Sequence, residues 1–243
     1  MPRNTEKCSK DICEIDPKRC ENFYKNPDIF CAAKEPRINF IVKKQQSITQ
    51  KCLEILSDMP KGSICIDCGS LAGYVTELFY LFGAKVYAFE ANSRLANHQK
   101  DLFKTTPQIE IFDKAVWDKN TTLTLSSLCF DGIEDISGSS ITLIDNTEVY
   151  KQDILQENVE VIDLTEFIEK EILPKRIYIL KLDVEGAEFE ILEKIILKGL
   201  YNHIDYIFCE THERFFQNGE QRMAHIKNLI EKNNIKNIYL DWM

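Results

Sequence analysis

The chain has 243 residues, 44% of them hydrophobic, and a formal net charge of −9. That is enough apolar chain for one sizeable buried core, and too acidic a balance for a nucleic-acid partner, whose phosphates call for clustered Lys and Arg. No apolar run reaches the length of a membrane span, and Met1 to Lys10 lack the apolar stretch of a secretion signal, so the expected compartment is the cytoplasm, with no membrane partner.

Residues 1–37 are charged and turn-rich, with Pro2, Pro17, Pro27 and Pro36 and no sustained period. They read as an N-terminal extension, partly ordered by Phe23, Tyr24 and Phe30, ahead of one domain over 38–243. Of the nine cysteines, Cys8, Cys13, Cys20 and Cys31 follow no familiar zinc spacing and read as free thiols. Cys65 and Cys68 form a C-x-x-C, but Cys65 lies inside an apolar strand, whereas a redox pair needs an exposed helix start.

From Phe40 to Leu56, apolar residues recur at helical spacing (Ile41, Ile48, Cys52, Ile55, Leu56), and Met59-Pro60-Lys61-Gly62 ends that helix. A strand over Ile64–Asp67 and a helix over Ala72–Phe82, closed by Gly83, follow. Next come a strand at Lys85–Glu90, a helix at Ser93–Phe103 and a third strand at Ile109–Val116. Thr121–Leu125 and Val159–Ile162 read as edge strands around a long polar loop within Asp118–Asn158, whose Ser137-Gly138-Ser139-Ser140 run offers small hydroxyls to a polar acceptor. Then come a helix at Leu164–Ile172 before Pro174, a strand at Ile177–Asp183, a helix at Ala187–Leu197, a strand at Asp205–Glu210, a helix at Glu220–Lys232 and a last strand at Ile235–Leu240. The alternation predicts an α/β fold with a mainly parallel sheet flanked by helices.

Two turns carry chemistry. The first strand runs into Asp67-Cys68-Gly69-Ser70-Leu71-Ala72-Gly73, a D-x-G-x-x-x-G turn. Gly69 lets the backbone turn sharply and Gly73 lets the next helix sit close. An acid in the turn would repel a pyrophosphate and suits a ligand bearing an amine. Glu90, at the end of the next strand, can accept from both hydroxyls of a ribose. Together these features suggest S-adenosylmethionine.

The second turn is Lys181-Leu182-Asp183-Val184-Glu185-Gly186-Ala187-Glu188, at the end of an apolar strand. Three carboxylates there are costly unless paired, metal-bound or reactive. Glu210 and His212, two apart at the end of the following strand, point to one side and can converge with Asp183. Either His212 or Asp183 serves as a general base, or Asp183, Glu210 and His212 hold a divalent ion such as Mg²⁺ or Mn²⁺. Glu185 and Glu188 fall in the first turn of a helix, where acids also suit the dipole. Lys181 shares the face of Asp183 and neutralises it. His98, His203 and His225 read as structural or solvated, and Glu77 and Lys100 as exposed helix face. Phe215 and Phe216 either wall an acceptor pocket or pack the last helix.

With the residues Ile66-Asp67-Cys68-Gly69, Gly73, Val86 to Glu90, Lys114-Ala115-Val116, Leu180 to Glu188, and Glu210 with His212, the chain resembles the FkbM family of S-adenosylmethionine-dependent methyltransferases. The likeness runs from about Gly62 to His212. It departs from the family in Ser70-Leu71, where Ala-Asn is usual. The resemblance implies a Rossmann-like class I methyltransferase domain and cofactor contacts from Asp67, Gly69, Ser70, Gly73, Glu90, Ala91 and Ala115. It also implies methyl transfer to the oxygen of a sugar or glycan acceptor, with Asp183, His212 and Glu210 at the chemistry. A non-sugar small molecule as acceptor, and a non-catalytic cofactor-binding protein on the same fold, are the alternatives.

Overall fold

The computed structural model describes residues 31–44, 50–130, 133–141 and 153–242. Two helices, α1 (Cys31–Lys44) and α2 (Gln50–Ser57), precede β1 (Ile64–Cys68), α3 (Tyr74–Leu81), β2 (Lys85–Glu90), α4 (Ser93–Leu102) and β3 (Ile109–Asp113). Then come β4 (Ala115–Trp117), β5 (Thr121–Phe130), β6 (Ile133–Ser140), β7 (Asp153–Asp163), α5 (Leu164–Phe167, extended by a π turn), β8 (Ile177–Leu182) and α6 (Glu188–Leu197). β9 (Ile204–Cys209), α7 (Gly219–Lys232) and the short β10 (Ile238–Tyr239) complete the order.

The main sheet has six strands in the order β10-β9-β8-β1-β2-β3, and every pairing in it is parallel. All five residues of β1 are buried, as an apolar run covered on both faces requires. Its side chains alternate between two cores: Ile64, Ile66 and Cys68 pack with residues of α5, α6 and α7, while Cys65 packs with those of α1, α2 and α3. Each fully enclosed side chain, such as Phe79 or Phe89, contributes about 1.5–3 kcal/mol by leaving water. The chain runs from β1 outward to β3, then returns to place β8 on the other flank of β1. The strand order therefore reverses between β1 and β8, and a ligand crevice opens beyond the carboxyl ends of such a pair.

Four expectations need correction. The helix read over Phe40–Leu56 is two helices, with residues 45–49 outside those described, and α1 begins within the predicted extension. The Phe23, Tyr24 and Phe30 contacts, and Cys8, Cys13 and Cys20, lie outside the described residues.

Glu77 is not on an exposed face. It is 1% exposed and takes a bidentate pair from buried Arg37 at 2.7 and 2.5 Å. The Arg37 guanidinium also lies 4.9 Å from the Phe40 ring centroid, so α3 is covered on its outer side by α1, a neighbour no local pattern announces.

The third strand splits at Lys114. β3 pairs with β2, whereas β4 pairs with β7 in a second, four-stranded sheet ordered β4-β7-β5-β6. The polar loop is largely strand as well, because β5 and β7 run antiparallel from Thr121↔Val161 to Cys129↔Asp153. Thr122, Thr124, Glu157 and Glu160 are exposed while Leu125, Val159 and Val161 are buried. One wet face makes these strands polar enough to pass for a loop.

Candidate active site

The turn after β1 depends on left-handed backbone at Gly69 (φ 79), Leu71 (φ 50) and Gly73 (φ 82). The amides of Gly69 and Ser70 both donate to the carbonyl oxygen of Phe89 at 3.0 Å, tying the turn to the end of β2. A Cβ on Gly69 would overlap the Asp183 carbonyl oxygen, so a side chain there would force β1 and β8 apart. Gly69→Ala is accordingly expected to cost roughly 2 kcal/mol or more of stability and to abolish cofactor binding. Thermal melts and titration calorimetry check this, and a variant that binds normally would refute the role of the close approach.

Glu90 ends β2 at 8% exposure. Its Oε2 accepts the Leu71 amide at 2.6 Å and its Oε1 the Asn92 amide at 2.9 Å, which leaves each oxygen able to accept again. Burial pushes the carboxyl up to about 7, against the two amides and the Lys181 cation. The crevice beside it is lined by Gly69, Leu71, Glu90, Ala91, Ala115, Asp183, Val184 and Glu185, with apolar walls from Phe89, Val116, Leu125 and Ile141.

Of the predicted cofactor residues, Gly69, Glu90, Ala91 and Ala115 line this crevice. Asp67 does not, which corrects its reading as the partner of a ligand amine. It is fully buried, its Oδ2 accepting from Thr76 Oγ1 at 2.6 Å and its Oδ1 lying 3.3 Å from Lys181 Nζ. A carboxylate this deep needs an internal cation, and Lys181 is in reach. Ser70 is likewise buried, its Oγ accepting from the Gln99 side-chain amide at 2.9 Å, and Gly73 packs against Gln99 and Phe103. Both shape the turn from behind.

Lys181, in β8, joins the two turns. Its ammonium donates to the Gly69 carbonyl at 2.7 Å and lies 3.2 Å from Asp183 Oδ2 as well as 3.3 Å from Asp67 Oδ1. Burial works against its charge, but Asp183 and Asp67 outweigh burial and hold its pKa above the usual range. The lysine does more than neutralise Asp183, because it also fixes the glycine turn after β1.

Beyond β8 and β9 five side chains converge. His212 is 1% exposed. Its Nδ1 is hydrogen-bonded to the Glu188 carboxylate, while its Nε2 lies 3.3 Å from Glu185, 3.5 Å from Glu210 and 3.9 Å from Asp183. Glu188 also accepts the Gly186 amide at 2.6 Å, so a fully buried acid orients the ring. The structure thus brings Asp183, Glu210 and His212 together, as their period-two placement predicts, and Glu185 and Glu188 join them.

Burial would lower the histidine's pKa. The bond and charge of Glu188, with Glu185 and Asp183 behind them, instead lift it to about 9. The shift favours the protonated ring, whose nitrogens donate. Glu185 sits in a left-handed conformation (φ 56) that a non-glycine residue adopts only under constraint. Burial raises its carboxyl, His212 opposes, and Asp183, Glu188 and Glu210 add to the rise, to about 7. Burial and Asp183 likewise raise Glu210, with His212 and Arg214 opposing.

Asp183, Glu185 and His212 offer ligand atoms that all lie within 4.8 Å of one another, a spacing that one divalent ion could bridge. The side chain of Phe215 lies outside the described residues, whereas Phe216 packs edge-on to Phe189, so it belongs to the α6–α7 packing. The side chains of Ser137 to Ser140 are outside the description as well. His98 and His203 are exposed, and His225 pairs with Glu193 at 3.0 Å, consistent with solvated positions.

A parallel sheet with a glycine turn after β1, a buried acid ending β2 and a cluster of carboxylates around His212 beyond β8 defines a Rossmann-like α/β domain with a crevice at the carboxyl ends of its strands. The family model of the methyltransferase FkbM domain matches residues 67–236, and the chain belongs to that family of methyltransferases, whose methyl donor is S-adenosylmethionine. Comparisons with curated proteins and with solved structures return no match. Among the described residues no helix is long and apolar enough to cross a membrane.

Proposed function

We propose that this protein methylates a hydroxyl of a sugar or glycan, with Glu185 as the general base. The observation that carries this reading is that Glu90 and Glu185 line one crevice, Glu90 with acceptor capacity left on both carboxylate oxygens and Glu185 with its carboxyl raised by burial to about 7. The residues fit S-adenosylmethionine: Glu90 keeps acceptor capacity for two hydroxyls, and Phe89, Val116, Leu125 and Ile141 give an apolar slot for a base. When bound, the cofactor supplies a methyl group already activated on a sulfonium. The protein's own tasks are then to align the acceptor oxygen and remove its proton.

A carboxylate tuned towards neutrality takes that proton best at physiological pH. The His212 cation, oriented by Glu188, donates to an acceptor oxygen, while Asp183, engaged by Lys181, accepts from a neighbouring hydroxyl. An acceptor rich in adjacent hydroxyls matches this mixture of donors and acceptors, which supports a carbohydrate over an isolated alcohol. Incubation with labelled cofactor and a panel of defined glycans and non-sugar alcohols tests the reading. Transfer to non-sugar hydroxyls alone would overturn the acceptor class, and cofactor binding without transfer to any of them would favour a non-catalytic role.

The second reading puts a divalent ion between Asp183, Glu185 and His212, with Glu188 orienting the ring from behind as carboxylates do for metal-bound histidines. Chelation separates the two. Activity that survives a chelator supports base catalysis, and activity lost to it and restored by Mg²⁺ or Mn²⁺ supports the ion.

Cofactor affinity should also depend on pH through Glu90. The ionised carboxylate accepts two ribose hydroxyls and the protonated one gives up an acceptor site. Affinity is therefore expected to fall as pH drops through about 7. Glu90→Gln should bind more weakly and lose that pH dependence, as titration calorimetry between pH 5.5 and 8.5 would show.

A further inference from the structure

We infer that Gln99 of α4 is a positioning residue that sets the cofactor-binding carboxylate of Glu90, a role that rests on the cofactor reading above. Gln99 is fully buried and does not itself line the crevice. Its side-chain Nε2 donates two hydrogen bonds into the turn after β1, to Ser70 Oγ at 2.9 Å and to the Leu71 carbonyl at 2.8 Å. Because the Leu71 carbonyl can only accept, the amide orientation follows from the bonding.

Those bonds fall on the residue that most needs them. Leu71 holds a left-handed backbone (φ 50) that a branched side chain disfavours. Its amide is the donor at 2.6 Å to Glu90 Oε2. With its carbonyl pinned by Gln99, the peptide can present that N–H to the carboxylate. The same helix reaches the other oxygen of Glu90, since its N-cap Asn92 donates its amide to Oε1 at 2.9 Å and caps α4 through its side chain. α4 therefore grips the carboxylate from both sides, directly through Asn92 and indirectly through Gln99 and Leu71. Gly73 completes the fit, because a Cβ there would stand 3.1–3.2 Å from the Gln99 side chain. The Ser70-Leu71 pair, where the family usually has Ala-Asn, is the segment this glutamine grips.

The test is a double-mutant cycle read by calorimetric binding of S-adenosylhomocysteine to the full chain, using Gln99→Met, which keeps the volume and removes the donor, and Glu90→Gln. Gln99→Met is expected to weaken binding about tenfold in the wild-type background, and less than about twofold where Glu90 is already Gln. The pH midpoint of binding should move upward in Gln99→Met, because the Leu71 amide lowers the Glu90 pKa. The other groups around Glu90, namely the Asn92 amide, the Lys181 cation and the Asp67 carboxylate, stay in place. Purely structural loosening would leave that midpoint where it is. Should Gln99→Met not fold, Gln99→Asn, too short to reach both acceptors, enters the same cycle. Equal losses in both backgrounds, or wild-type affinity with an unmoved midpoint, overturn the inference. Failure of the wild-type chain to bind S-adenosylhomocysteine counts instead against the cofactor reading.

Discussion

Glu185→Gln is expected to lower kcat by about 10²–10⁴-fold, the range for loss of a general base, while leaving cofactor affinity within about twofold. The amide is close to isosteric and keeps a polar group beside His212, but it cannot take a proton. The wild-type pH profile supplies the companion measurement. Glu185 must be ionised, so activity rises as pH passes about 7, and His212 must be protonated, so activity falls beyond about 9. In Glu185→Gln the rising limb assigned to that carboxyl should disappear. His212→Ala should remove the falling limb and Asp183→Asn should lower kcat, both with cofactor binding largely retained. A Glu185→Gln enzyme with kcat within about threefold of wild type would sink the assignment, since losing a base costs at least two orders of magnitude.

Lys181→Met carries the largest expected effect on stability. The lysine is 2% exposed and Asp67 is fully buried, so its removal leaves a carboxylate enclosed with only the Thr76 hydroxyl against it. Breaking such a pair from one side costs about 3–5 kcal/mol, which for a domain of this size lowers Tm by roughly 10 °C. The Gly69 carbonyl loses its ammonium donor at the same time, so cofactor affinity should fall with stability. Asp67→Asn in the Lys181→Met background should recover part of the Tm, because the residual cost is that of the orphaned charge. Calorimetric melts of the two variants decide the matter. A single variant that melts within a few degrees of wild type would show that Asp67 finds its compensation elsewhere.

The strand–turn–helix order, the glycines after β1, the acid that ends β2 and the convergence of Asp183, Glu210 and His212 are all written in local pattern. In a parallel sheet the carboxyl ends of neighbouring strands lie side by side, so a residue's distance from a strand end already places it in the crevice. The amphipathic helices and two-residue periodicity follow in the same way from sequence neighbours alone.

Other features required the assembled molecule. The chain changes sheets at Lys114, and β5 and β7 lengthen into a wet-faced pair, because their partners lie tens of residues away. Glu77 is buried only because Arg37 arrives from α1. Asp67 faces inward to Lys181 rather than outward to a ligand, and Gln99 reaches a turn 28 residues before it.

The protonation of the cluster depended most on tertiary structure. The identities of Glu185, Glu188 and His212 name three ionisable groups without saying which holds the proton. That is set by burial and by distances of a few ångströms between segments more than twenty residues apart, where the Glu188 contact raises the histidine to about 9 and enclosure raises Glu185 to about 7. The sequence by itself determined the fold, which rests on local periodicity and turn geometry, and its motifs carried the resemblance to the family. Only the tertiary structure set the direction in which each acid of the cluster is shifted, because a pKa is a property of surroundings that no single segment contains.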